Sequence, residues 1–273
     1  MILLRSTFWA LILLLTTSCS APKALLDSGH PLTSAVEAGI ASGKKTFDHS
    51  SYDRLLKAHV TDTGTVDYTA LAKERPTLTA YLEQVKGVDL SDYGREELLA
   101  LLMNAYNALT IDWILAHQSL ESGPLQSIRD TTKPWKGERH RVGGTVVSLD
   151  FIEHSLLRVP TLFNEPRVHF GVNCASKGCP PLRNEAFVGS RVRDQLEDSV
   201  TRALAMPSQL RVEGEKVLVS EIFNWFGEDF RRGESSLPEF LIPRAPAAAA
   251  LILREKGSAA IGFLPYDWSL NGS

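Results

Sequence analysis

DYGREELLALLMNAYNALTIDWILAH, residues 92–117, is the stretch from which the architecture can be read. Asp92 is placed to cap a helix, and Glu96 and Glu97 fall in its first turn, where the peptide dipoles favour negative charge. Leu98, Leu102, Ala105, Leu109 and Trp113 recur at helical spacing, while Leu101, Met103, Ala108 and Ile111 occupy the other faces. A helix that is apolar nearly all round belongs inside the fold. Two amides, Asn104 and Asn107, then sit in a buried helix and need hydrogen-bond partners.

On the N-terminal side, Tyr52, Leu55, Leu56 and His59 share a helical face, residues 63–68 read as a turn and a short extended piece, and Leu71 to Val85 is helical again. On the C-terminal side, Gly143-Gly144 between Arg139–Val142 and Thr145–Ser148 signals a two-residue hairpin. Asp150 with Glu153 three residues later resembles a capping box for a helix continued by Phe151, Ile152, Leu156 and Leu157. Val168, Phe170 and Val172 alternate with His169, Gly171 and Asn173, which predicts a strand over 167–173 with His169 and Asn173 on one face. A Gly- and Pro-marked loop, 174–181, follows. Beyond it the patterns predict a helix near 191–204, a hairpin of 210–212 with 217–219, and helices near 221–230 and 247–254. Strands and helices do not alternate regularly. The expected class is therefore α+β in a single domain, with a central buried helix, short β-hairpins and a strand-loop carrying two cysteines.

The chain's 273 residues open with one positive charge, at Arg5, an apolar run from Phe8 to Leu15, and Thr16-Thr17-Ser18 before Cys19. That layout predicts a signal peptide over 1–18 and lipidation of Cys19, with a tether over 19–45 and one globular domain over 46–273. The expected location is the periplasmic side of a bacterial envelope, and Ser20 after the lipidated cysteine favours the outer membrane. The formal net charge is −3 and no Lys/Arg stripe is present, which argues against nucleic acid and leaves the lipid anchor as the contact with membrane. Cys174 and Cys179 are the two cysteines left beyond Cys19, and in an oxidising compartment such a pair can be a disulfide.

Several segments resemble the domain of unknown function 547 family: Asn104-Ala105-Tyr106-Asn107, the Gly143-Gly144 hairpin leading to Ile152-Glu153-His154, and the run from His169 to Pro180. Asn224-Trp225-Phe226 through Asp229-Phe230 and Tyr266 to Asn271 fit as well. The resemblance extends from about residue 45 to the C-terminus and implies no particular activity.

A cysteine at the end of a strand, in a Gly- and Pro-marked loop, is where a fold exposes a nucleophile. Thiolate chemistry needs a histidine or another cation nearby, and the two histidines close in sequence are His154 and His169. The candidate catalytic set is Cys174 as nucleophile, His154 as base and Asn104 as orienting residue, after the Cys-His-Asn pattern. Glu153, His169, Asn173, Ser176, Cys179 and Asn107 are candidate neighbours, with Asn173 and loop amides as oxyanion donors. The reaction expected is hydrolysis or acyl transfer at an amide or peptide-like bond.

Against it stand a non-catalytic, disulfide-closed lipoprotein that binds a ligand or partner, and a thiol–disulfide redox protein using Cys174 and Cys179 without the usual Cys-x-x-Cys spacing. In the structural alternative His154, His169 and Asn104 are buried groups satisfied by their neighbours, and Trp135 lines a cleft or packs the core. His154, His169, Cys174 and Cys179 match no standard zinc spacing, so no metal and no cofactor is assigned. The partner, whether small molecule, peptide or envelope protein, is not specified by the sequence.

Overall fold

Arg95–His117 forms one helix whose side chains from Leu98 to Ile111 are all buried, and every other element is placed around it. The computed structural model describes residues 23–118, 125–232 and 236–272, so the predicted signal segment and Cys19 lie outside the described residues. In chain order the helices leading up to this one are α1 (Pro31–Ser42), α2 (Ser50–His59), α3 (Tyr68–Lys73) and α4 (Arg75–Gly87); the central helix is α5. The hairpin β1 (His140–Val142) and β2 (Thr145–Val147) follows, then a π-helical turn, Phe151–Leu157, and a 3-10 turn, Pro166–Phe170. After α6 (Val192–Leu204) come β3 (Leu210–Glu213), β4 (Lys216–Val219), α7 (Ile222–Trp225), α8 (Gly227–Phe230), α9 (Leu237–Leu241), α10 (Ala247–Lys256) and β5 (Ile261–Phe263).

By length and composition α5 could cross a membrane, but it is enclosed by protein and behaves as a core helix. Its first turn starts at Arg95 with Gly94 as cap residue; Asp92, the predicted cap, instead ends a 3-10 turn and pairs with Lys45 at 2.7 Å. Glu97 accepts the backbone N–H of Phe47 at 3.0 Å, and Glu96 binds Arg193 at 2.8 and 2.9 Å, so the acidic first turn anchors distant segments. The segment 19–45, expected to be a tether with a short helix at its end, does contain a helix. Residues 31–42 are a helix that buries Leu32 and Val36, and no side chain fits at Gly39, whose Cβ would run into the backbone of Leu90 and Tyr93.

Two apolar cores result. One surrounds α5 and contains Val192 and Leu196 of α6; the other contains Val200, Ala203 and Leu204 of the same helix, with β3, β4 and α7–α10. Sharing α6 makes them one body. The hairpins match the sequence reading: Gly143 and Gly144 have φ of 55° and 75°, the left-handed values that a two-residue primed turn requires. Strand β5 adds to β4 in parallel, Val217 opposite Ile261, a long-range pairing with no local signal.

The predicted strand over 167–173 is not formed. Pro166 supplies the fixed φ of a first helical residue, the Glu165 carboxylate accepts the Arg167 N–H at 3.1 Å, and a 3-10 turn is the outcome. Val168 through Asn173 are all buried, so the alternation that suggested two faces had no solvent side to report. Val168 and Val172 enter the first core and Phe170 the second, which puts this segment on the seam between them. The helix expected after Asp150 is the π-turn. Asp150 offers no side-chain cap, and the Phe151 N–H bonds Ser148 Oγ at 3.0 Å.

Asn104 donates to Phe187 O at 2.8 Å and accepts from Phe187 N at 3.0 Å, which ties the segment before α6 to the central helix. Asn104→Ala should strand both buried backbone groups and lower unfolding free energy by about 1–3 kcal/mol for each. Urea unfolding checks this, and alkylation of Cys174 in the folded protein should keep its rate. Burial also lowers His49 and His140 to about 4. Their folded values lie below the unfolded value near 6.5, so the unfolded chain takes protons first as pH falls. Stability should therefore decline from about pH 6.5 to pH 4, by about 1.4 kcal/mol per pH unit per histidine at most, measured as the urea midpoint against pH.

Candidate functional site

Asn107, one turn beyond Asn104 on α5, holds the start of the cysteine loop. Its amide donates to Gly171 O at 2.8 Å and its oxygen accepts the Asn173 N–H at 2.8 Å. Asn173 then closes the loop internally: its oxygen accepts Ala175 N–H at 2.8 Å and its amide donates to Pro180 O at 2.9 Å. Gln209 donates to the carbonyls of Gly178 and Cys179 at 3.1 and 3.0 Å. The C-terminal segment lies alongside, with Lys177 N–H bonded to Ser269 O at 2.9 Å, Gly178 N–H to Asp267 O at 2.8 Å and Asn271 N–H to Ala175 O at 3.1 Å. A Cβ at Gly178 would meet Asp267 backbone atoms at 2.8 and 2.9 Å, so glycine is required by that close approach. Within this clamp Ala175, next to Cys174, is held at φ 60°, a left-handed conformation unfavourable for alanine.

The clamp fixes two free cysteines. Cys174 is half-buried and Cys179 is buried behind it, with their sulfurs 2.7 Å apart. Cys174 Sγ also lies 3.1 Å from Ser176 Oγ and 3.3 Å from Tyr266 Oη, and the Cys174 N–H points at Cys179 Sγ from 3.2 Å. The Cys179, Ser176 and Tyr266 hydrogens can all turn toward Cys174 Sγ, and these donors hold its pKa at about 7 against the opposing effect of burial. Burial pushes Cys179 well above the ordinary thiol value, and so does the neighbouring sulfur. Of the two sulfurs, Cys174 is therefore the first to lose its proton.

His154 is placed elsewhere than the Cys-His-Asn expectation put it. Its Nδ1 accepts from Arg158 at 2.8 Å, and burial, then Arg158, lowers its pKa to about 4. A neutral imidazole with that nitrogen occupied is not among the hydrogen-bond partners of Cys174. Asn104 is bonded to Phe187, with no hydrogen bond to a histidine. The Asn173 side chain and the N–H groups of residues 173, 174, 175, 177, 178 and 179, proposed as oxyanion donors, are engaged with the loop, with Asn107 and with the C-terminal segment. His169 and Asn173, predicted to share a face, diverge: Asn173 turns into the loop and His169 donates to Asp229 at 2.8 Å.

That aspartate, absent from the sequence-derived set, centres a second buried group. Asp229 accepts from Arg158 Nε at 2.6 Å, from His169 and from Arg232. Burial pushes its carboxyl up, but the His169 and Arg158 hydrogen bonds outweigh it and hold the group well below the usual carboxylate range. Phe226 stacks on His169 at 4.2 Å and lies under the Arg158 guanidinium at 4.5 Å. Glu153 joins the two groups. Burial raises its pKa, it shares a hydrogen bond with Tyr106, and its charge is felt at both His169 and Cys174.

Trp135 meets Trp268 edge-on at 5.9 Å, and Trp268 in turn contacts Tyr266 at 4.5 Å, so the aromatic segment buttresses the tyrosine at the sulfur. Behind the loop, a cavity of about 390 Å³ is lined by Asn173, Ser176, Cys179, Met206 and Leu264 among others. Among the described residues, no three His, Cys, Asp or Glu side chains are grouped to hold a metal ion. Tyr266, Asp229 and Arg158 were missed as site residues, although Tyr266 and Asp229 both lie in segments that carry the family resemblance.

Comparison with curated proteins and with solved structures returned no match. Residues 90–202, from the turn before α5 into the last turn of α6, match the model of the family described as protein of unknown function, DUF547, the same family that the sequence motifs resemble.

Proposed function

We propose that this chain is an envelope lipoprotein with a thiol-dependent enzymatic site, in which Cys174 is the attacking thiolate. The observation that carries this reading is the convergence of three donors, Cys179, Ser176 and Tyr266, on a half-buried sulfur in a rigid loop. A preformed thiolate attacks without a histidine base, so the loss of His154 from the hydrogen-bond set does not remove the nucleophile. Transfer or hydrolysis of an acyl group at an amide or peptide-like bond remains the class of reaction suggested by the sequence. A second reading, a binding lipoprotein, is favoured by the cavity behind the loop, whose volume of about 390 Å³ lies within the ordinary range for small ligands.

Iodoacetamide labelling of the reduced protein, followed by peptide mapping, tests the nucleophile. Cys174 should alkylate with a midpoint near pH 7 while Cys179 stays largely unreacted. Tyr266→Phe removes one donor and should slow alkylation at neutral pH by about fivefold, the loss of thiolate that a rise of roughly one pKa unit from 7 brings. A loss of the same size in His154→Ala would return the imidazole to the mechanism. A midpoint at or above the ordinary thiol value of about 8.5 would remove the thiolate reading.

For the anchor, Cys19→Ala should release the protein from the membrane fraction and abolish incorporation of a fatty-acid probe. An equally membrane-bound variant would overturn the lipoprotein assignment.

A further inference from the structure

We infer that Cys174 and Cys179 form a working dithiol pair, whose substrates are disulfides or dithiols and whose oxidised state is a Cys174–Cys179 disulfide. This deepens the reading of Cys174 as a nucleophile and rests on it. Acyl chemistry would use Cys174 as its only reacting sulfur and leave Cys179, buried directly behind it, as a hydrogen-bond donor. Thiol–disulfide exchange needs an exposed sulfur to attack and a second sulfur to resolve the mixed disulfide, and this loop provides both. The sulfurs are 2.7 Å apart, a separation from which small side-chain rotations reach the bond length of about 2.05 Å. Cys174 is the less buried member and Cys179 the buried one, so an incoming disulfide meets Cys174 first. The loop backbone is fixed by Asn107, Asn173, Gln209 and the C-terminal segment, so the pair closes without refolding of the loop.

The chemistry is balanced as follows. The Cys174 thiolate attacks one sulfur of a substrate disulfide. The substrate S–S bond breaks, a mixed disulfide forms at Cys174, and the departing thiolate takes a proton from solvent. Cys179 then gives up its proton to solvent, and its thiolate attacks Cys174 Sγ. The Cys174–Cys179 bond forms, the mixed disulfide breaks, and the second substrate thiolate leaves and is protonated. The protein loses two electrons and the substrate disulfide gains them. Run in reverse, the same steps oxidise a substrate dithiol. Ser176 and Tyr266 stabilise Cys174 as attacking thiolate in the first direction and as leaving group in the second.

The test uses the full chain, reduced, exchanged into buffer without reductant and exposed to oxidised glutathione. Products are read by intact mass and peptide mapping, which separates Cys19 from the loop. Wild type should lose both loop thiols and retain no glutathione. Cys179→Ser should hold a lasting glutathione adduct on Cys174. In Cys174→Ser, Cys179 should react at least about tenfold more slowly, because it lacks thiolate character at neutral pH. Circular dichroism verifies that each variant is folded, and if one is not, the wild-type result decides alone. A persistent adduct on wild-type Cys174, or two free loop thiols after exposure, overturns the dithiol pair; if iodoacetamide still labels Cys174 rapidly, the nucleophile assignment stands without it. Slow alkylation of Cys174 as well would overturn both.

Discussion

Two amide side chains inside an apolar helix determine where this fold places its chemistry. Asn104 and Asn107 sit where α5 offers no solvent, and an unpaired amide there costs about 1–3 kcal/mol. Each meets that demand by binding both polar groups of a passing backbone, Asn104 at Phe187 and Asn107 at Gly171 and Asn173. Two connections that carry no regular ladder of their own are thereby held against the most rigid element in the molecule. The position of the cysteine loop follows from the second of these ties, and the approach to α6 from the first.

The ionic group around Asp229 has a related logic. A buried carboxylate with two arginines and a histidine is stable because each oxygen is bonded, and removing one partner would leave charge without compensation. It joins the π-turn, the 3-10 turn and α8 by directional bonds across the seam where the two apolar cores meet. Apolar packing alone would permit those elements to slide; the fork of Arg158 on Asp229 does not. Glu153 couples this frame to the sulfur, since its charge acts on both His169 and Cys174.

How much of this could be read from the sequence depended on the range of the forces involved. Helix α5 and the Gly143-Gly144 hairpin are dictated by local periodicity and backbone freedom, and both were legible. The 3-10 turn at Pro166–Phe170 was misread as a strand because the alternation of Val168, Phe170 and Val172 reflects burial between two cores, which no local pattern can distinguish from burial on one face. The loop was identified, and Cys174 was singled out within it. The partners of Cys174 were not, because Tyr266 comes from 92 residues away in sequence and nothing near either residue announces the contact. His154 was named for its proximity along the chain, yet an arginine one turn further on in the same segment takes its nitrogen.

The span of these contacts bears on when the reactive sulfur comes into being. Asn107 is 66 residues from Asn173, Asn173 is 98 from Asn271, and the Tyr68–Asn271 bond that fixes the C-terminal segment closes over 203. Contacts of such separation form slowly, because the entropy of closing the loop must be met before the bonds repay it. Until they form, the two cysteines are ordinary thiols of an incomplete chain, with none of the hydroxyls or buried backbone that set them apart. The lowered pKa of Cys174 is thus a property of the finished fold, since the groups that set it are held in place by contacts of long range.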